Sequence, residues 1–200
     1  MARILKEEKY PDGSLKSRET ELHDQFGQQV ILKESWFTLE VDPLNPGAQQ
    51  LFGRQLYKWN FVNGKKHGLQ ETWYDNGQQT CKWNFVNGRK NGLQEVWYKN
   101  GKQMCKWNYV NGQQHGLQET WYDNGREEYE ENYVNGRKHG LQKGWHRNGR
   151  QEYEKYYLDD TEVSQQTYQS YVGGLASTIQ AIIDFGERGI SEIIAGYLLP

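Results

Sequence analysis

The chain has 200 residues, only 35% of them hydrophobic, a mean hydropathy of -1.04, and 24 basic against 26 acidic side chains. A net charge of -2 gives no electrostatic argument for nucleic acid or an anionic membrane, and no run approaches the ~20 apolar residues of a membrane span. Disorder is disfavoured as well, because 8 Trp, 14 Tyr and 6 Phe recur among 22 Gly at a fixed period.

Residues 1–50 read as a degenerate N-terminal cap with short strands. The opening MARILKEEKYPDG is charged and lacks an apolar h-region, which argues against a secretory signal and for a cytoplasmic or intracellular protein. Asp12 and Gly13 mark a turn between two polar strands, and Val30–Val41 has the β-branched and aromatic content of one or two more. An atypical first unit is what a solenoid needs to cover its open edge. Pro43, Pro46 and Gly47 predict a loop before the regular array.

Residues 51–160 form that array. Gly53, Gly77, Gly101, Gly125 and Gly149 are spaced by 24, as are Gly64, Gly88, Gly112 and Gly136. A period of this length signals stacked supersecondary units, none of which buries its apolar face alone. Asn76-Gly77 predicts a two-residue type I′ hairpin turn, with Asp75 opposite Gln78. That register sets Glu71 against Lys82, Glu95 against Lys106, Glu119 against Glu130 and Lys143 against Glu154. Alternation places Cys81, Trp83 and Phe85 on one face, and Leu69, Trp73 and Val86 on the other. A single sheet of about ten strands then exposes much of at least one face. Cys81 and Cys105 occupy equivalent sites about two strand spacings apart, roughly 9.5 Å, too far for a disulfide; they are predicted to be free thiols used for packing.

Residues 161–200 form a C-terminal amphipathic helical tail. Leu175, Ile179, Ile182, Ile183, Ile190, Ile193, Ile194 and Tyr197 recur at helical spacing, while Gly186 and Gly189 predict two short helices or one bent one, beginning near Leu175. Such a tail either folds onto the last repeat or docks onto a partner. Its charges are mostly acidic, which ranks a membrane surface third.

Little of the chemistry points to a reaction. His67, His115 and His139 stand in turns, and like atoms one repeat apart are too distant to converge on one metal ion. There is no nucleophile elbow, no Cys-His signature and no phosphate-cradling loop. No enzyme activity, metal or cofactor is implied. Lys82-Trp83 and Lys106-Trp107 have a base-stacking composition, but a basic stripe is missing, so nucleic acid is disfavoured.

At FVNGKKHGLQETWYDNG (Phe61 to Gly77), FVNGRKNGLQEVWYKNG and YVNGQQHGLQETWYDNG, the chain resembles the MORN-repeat class, in its variant with the pattern NGxxHGxxxxWYxNG. The resemblance spans about residues 53–158 and departs from the pattern at Asn91, Glu131 and Lys155. It implies a mainly β fold, an elongated single-sheet stack of hairpins with a C-terminal helical segment, used for binding and without catalysis. Such arrays look like those of giant DNA viruses of the Marseillevirus group and of bacterial antitoxin-like proteins. The expectation is therefore a protein-protein interaction scaffold, a minor capsid or cementing component incorporated into a virion; the alternative is an antitoxin or immunity-like protein that neutralises one partner. Partners would be other proteins, capsid proteins or a second copy of the chain. The candidate contact residues are Trp73, Trp83, Trp97, Trp107, Trp121 and Trp145 in the array, and Leu175, Ile179, Ile182, Ile183, Ile190, Ile193 and Ile194 in the tail.

Overall fold

In the computed structural model the strands are β1 (Arg3–Lys9), β2 (Leu15–His23), β3 (Gln29–Trp36), β4 (Gln55–Val62), β5 (Lys65–Trp73), β6 (Gln79–Val86), β7 (Arg89–Trp97), β8 (Gln103–Val110), β9 (Gln113–Trp121), β10 (Glu127–Val134), β11 (Arg137–Trp145), β12 (Gln151–Leu158) and β13 (Thr161–Val163). A single helix, α1 (Gln165–Leu198), follows. The structure describes residues 2–11, 13–25, 27–36 and 55–198, with α1 side chains described to Ile183 apart from position 181. The expected loop at Pro43, Pro46 and Gly47 lies outside the described residues, as does Asp12. The strands form one open antiparallel sheet of 13 in strict sequence order, so the cap and the array are a continuous ladder.

Two kinds of turn alternate along it, and they are not distributed as Asn76-Gly77 suggests. The two-residue type I′ turns are Asn63-Gly64 and its equivalents: Asn63 has φ 48° and Gly64 φ 73°, between the paired Val62 and Lys65. Asn tolerates this left-handed region and Gly meets no Cβ penalty there. At Asn76-Gly77 only Gly77 has positive φ, and Tyr74 rather than Asp75 bonds to Gln78 (N to O 2.8 Å). That loop has three residues, closed by a second bond from Gly77 N to Tyr74 O at 2.9 Å. Yet Glu71 still faces Lys82, because a bulge between Thr72 and Trp73 restores the register that the longer loop shifts. The same bonds close Tyr10–Ser14 and Asp24–Gln28, so the cap reuses the array's three-residue loop.

The expected charge pairs all lie in register, and they belong to one row that crosses twelve strands. It runs Glu7, Arg18, Glu34, Lys58, Glu71, Lys82, Glu95, Lys106, Glu119, Glu130, Lys143, Glu154, alternating in sign at every step but Glu119-Glu130. Each exposed pair is worth ~0.2–1 kcal/mol, so the row fixes register more than it stabilises.

The neighbouring face is closed. Gln70, Cys81, Phe85, Gln94, Cys105, Gln118 and Gln142 are buried there. The described elements are one sheet and one helix, and α1 meets the sheet at β12, so this burial comes from the face's own side chains. The cysteines are free and pair across Val96. Burial pushes both thiols up, Cys105 from 9.0 to about 11.

Of the two expected forms of the tail, two short helices or one bent one, helix α1 excludes the first and moves the expected start. It is a single helix that begins ten residues before Leu175 and continues through Gly186 and Gly189. Ser164 caps it: its Oγ accepts from Thr167 N at 3.1 Å, and its carbonyl accepts from Tyr168 N at 3.0 Å.

Candidate interaction surfaces

The residues that make the ladder rigid are amides that periodicity alone did not single out. In the four Asn-Gly type I′ hairpins the ladder opens, in the first between Trp59/Gln70 and Phe61/Lys66, leaving Asn60 without a backbone partner on β5. The carboxamide of Gln70 fills the gap: Nε2 donates to Asn60 O at 2.8 Å, and Oε1 accepts from Asn60 N at 3.1 Å. A side-chain amide thus stands in for a peptide unit. Gln94 does the same for Asn84 (2.9 and 3.2 Å) and Gln118 for Asn108 (3.0 and 3.1 Å). Gln142 donates to Asn132 O at 2.8 Å. The Asn side chain answers in turn, as Asn84 Nδ2 donates to Leu93 O at 2.8 Å and Asn108 Nδ2 to Leu117 O at 2.7 Å. The four glutamines are at most 2% exposed. The available signal was a polar residue recurring in phase on a face otherwise aromatic.

Both long edges are tied from repeat to repeat. On one, Tyr74, Tyr98 and Tyr122 hydroxyls donate to the carbonyls of Trp97, Trp121 and Trp145 at 2.8–3.0 Å. Asn76, Asn100 and Asn124 reach the next turn in the same way, and Lys99 pairs with Asp75 at 2.8 Å. On the other edge, Gly88, Gly112 and Gly136 amides donate to Lys66, Lys90 and Gln114 carbonyls at 2.8 Å. The histidines act here: His67 Nδ1 accepts from Asn87 N, and His115 Nδ1 from Asn135 N, each at 3.4 Å. At the pattern departure Asn91, Oδ1 takes over, accepting from Asn111 N at 3.0 Å.

The predicted contact residues fall into three groups. Trp73, Trp97, Trp121 and Trp145 end their strands at the three-residue loops and are half-buried. Trp83 and Trp107 lie on the closed face, with the Lys90 ammonium 5.5 and 5.9 Å from their ring centroids and 5.0 Å from that of Tyr109. The chain's own lysine therefore occupies part of this aromatic surface. Leu175, Ile179, Ile182 and Ile183 are exposed on α1, while the side chains of Ile190, Ile193 and Ile194 lie outside the described ones.

The substitutions at Glu131 and Lys155 are internally paired: Lys138 bonds Glu131 at 3.0 Å, and Lys155 bonds Glu162 at 2.8 Å. In the same terminal unit Gly144 replaces the Thr or Val of earlier repeats, and an added Cβ would run into the Tyr153 ring. Tyr156 stands in the row held elsewhere by Asn84, Asn108 and Asn132, and it seats the helix: its ring lies 5.4 Å from Tyr168, while Tyr171 meets His139 edge-on at 5.7 Å. Past Tyr171, described apolar side chains from Val172 to Ile183 are exposed.

Four exposed aliphatic groups of the array, Val86, Leu93, Val110 and Val134, line the face that carries the charge row, while Tyr129, 37% exposed, lies on the other. A cavity of about 250 Å³ near the N-terminal strands is lined by Lys6, Glu8, Ser17, Arg18, Glu19, Lys33 and Tyr57. Its lysines are internally paired, Lys6 with Glu8 at 2.7 Å and Lys33 with Glu19 at 3.1 Å. Among the described residues no group of His, Cys, Asp and Glu could hold a metal ion, and no helix is long and apolar enough to cross a membrane.

No family model and no curated protein matches this chain. What the fold and these surfaces define is a class of architecture: an open ladder of hairpins with a helical extension.

Proposed function

We propose that this chain is a non-enzymatic protein-protein interaction scaffold, most directly a structural component of a large assembly such as a giant-virus capsid, in a minor capsid or cementing role. The observation that carries the reading is the division of labour. The ladder's turns and long edges are tied by its own backbone and side-chain hydrogen bonds, whereas α1 leaves Leu175, Ile179, Ile182 and Ile183 in solvent, with Ile182 66% exposed. Apolar surface of this kind, standing off a rigid body, is what a docking element requires. The motif resemblance to MORN-type arrays points the same way. Mass spectrometry of purified particles tests it: the chain should be present in regular stoichiometry and stay bound at high salt, since apolar contacts are not screened. Absence from every particle fraction sinks the structural role.

The antitoxin-like alternative is favoured by one feature, the Val86, Leu93, Val110 and Val134 stripe beside the charge row, which suits recognition of a single protein. Elution as a small complex with one partner would select it.

A further inference from the structure

We propose that the place of Gln114 on the closed face is a slot for the ammonium group of a lysine carried by a partner protein. The partner rests on the scaffold reading; the slot rests on the ladder's own pattern. In three of the four Asn-Gly hairpins a lysine stands between a group of its own hairpin and a ring of the next. Lys66 Nζ is 5.0 Å from the Trp59 centroid and 5.3 Å from that of Phe85, and Lys90 Nζ is 5.5 Å from Trp83 and 5.0 Å from Tyr109. Lys138 bonds Glu131 at 3.0 Å and lies 5.6 Å from the Tyr157 ring. The third hairpin breaks the series: position 114, one period after Lys90 and one before Lys138, is Gln, while the two rings that should flank a lysine, Trp107 and Tyr133, are both kept.

The register makes the positions equivalent. Gln114 stands opposite Tyr109 as Lys90 stands opposite Phe85 and Lys138 opposite Tyr133, and Tyr133 faces Gly116 as Tyr109 faces Gly92. Ring faces attract a cation through their quadrupoles, and a carboxamide brings no charge to meet them. Lys90 lies 5.9 Å from the Trp107 centroid, at the outer limit of such contacts, and among the described residues no cation lies over the Tyr133 ring. Glu131 adds an acceptor at the same place, because it and Trp107 flank Gln118 from opposite sides. Its Oε1 accepts from Lys138 Nζ at 3.0 Å and its Oε2 from the Tyr133 hydroxyl at 3.2 Å. A carboxylate offers about four lone-pair sites, so it keeps room for a further donor. Trp107, Gln114, Glu131 and Tyr133 are half-buried, so a side chain from outside can reach between them. The slot has the parts that hold Lys66 and Lys90, and its fitting occupant is therefore an alkyl stem ending in an ammonium.

The test is an NMR titration of the full chain with a blocked Gly-Lys-Gly peptide, sodium chloride being withdrawn as peptide is added so that ionic strength stays constant. The indole N–H signal of Trp107 should shift saturably, with a dissociation constant on the order of 100 mM, the weak hold of exposed rings on one cation. The Trp83 signal should stay in place, since Lys90 fills that position, and the matching norleucine peptide should shift neither. Gln114→Lys should supply the missing ammonium from within and abolish the shift, whereas Gln114→Glu should tighten binding about twofold or more. A role in packing alone would not reverse with the sign of the charge. No saturable shift at Trp107, an equal shift at Trp83, or a shift that survives Gln114→Lys would overturn the proposal. Tighter binding of tetramethylammonium than of the peptide would do so too, by making the occupant a small quaternary ammonium. The titration uses the isolated chain, so these failures leave the scaffold reading standing, while absence from every particle fraction removes that reading and not the slot.

Discussion

Gln94 shows how much of this fold rests on one side chain per repeat. Its carboxamide satisfies both backbone groups of Asn84 where the strands part, and Nε2 is also 3.1 Å from Gly92 O. Removing it leaves a buried N–H and C=O unmet, each costing about 1–3 kcal/mol. Gln94→Ala should therefore destabilise the chain by about 2–4 kcal/mol in urea unfolding, far more than an exposed change such as Glu95→Ala. A loss under about 0.5 kcal/mol would mean that water serves the bulge equally well. The turn acceptors behave differently: His67 and Asn91 do the same job with different chemistry, which is why the departure from the motif at Asn91 leaves the ladder unbroken.

At the scale of elements, the hairpin period, the charge register, the free thiols and the two faces were legible in the sequence, because strand alternation and a fixed repeat constrain them strongly. The assignment of turn types was not. Asn-Gly occurs at both ends of each hairpin, and only the long-range count of paired residues separates Asn63-Gly64 from Asn76-Gly77. The buried glutamines were hidden for a related reason, since their partners are backbone groups exposed by a bulge that composition does not announce. Gly186 and Gly189 lower local propensity and so suggest either a break or a bend in helix α1, and its start is hidden because Ser164 is not recognisable as a cap from the apolar spacing.

The terminal hairpins also set an alkaline limit. Desolvation, with the nearby Glu131 carboxylate, raises Tyr133 and Tyr153 from 10.0 to about 12, and burial raises Cys105 from 9.0 to about 11. Each acid is thus harder to deprotonate when folded, so the unfolded chain loses its proton first. The stability these groups contribute is fully present below pH 9 and falls from there to about pH 12. Unfolding midpoints should drop across that window, and Tyr133→Phe with Tyr153→Phe should make the drop shallower; a midpoint that stays flat from pH 9 to about 12 would contradict this.

At the scale of the molecule, the thirteen strands among the described residues pair with their neighbours in order, so contacts stay local and stability is close to a sum of hairpin and interface terms. Charged residues and register shifts along β1 blunt one open edge, and β13 has only three residues at the other. Growth of the sheet by edge pairing is thereby discouraged, and the helix is left as the element facing outward. The ladder should be complete without it.

Thermal unfolding of the chain lacking residues 173–200, beside the full chain, tests that division most directly. The account predicts a soluble truncated protein with the same midpoint to within about 2 °C, because what is removed lies beyond the Tyr168 and Tyr171 contacts. Aggregation, or a midpoint lower by about 5 °C or more, would show that the helix covers the ladder's own end instead of serving a partner.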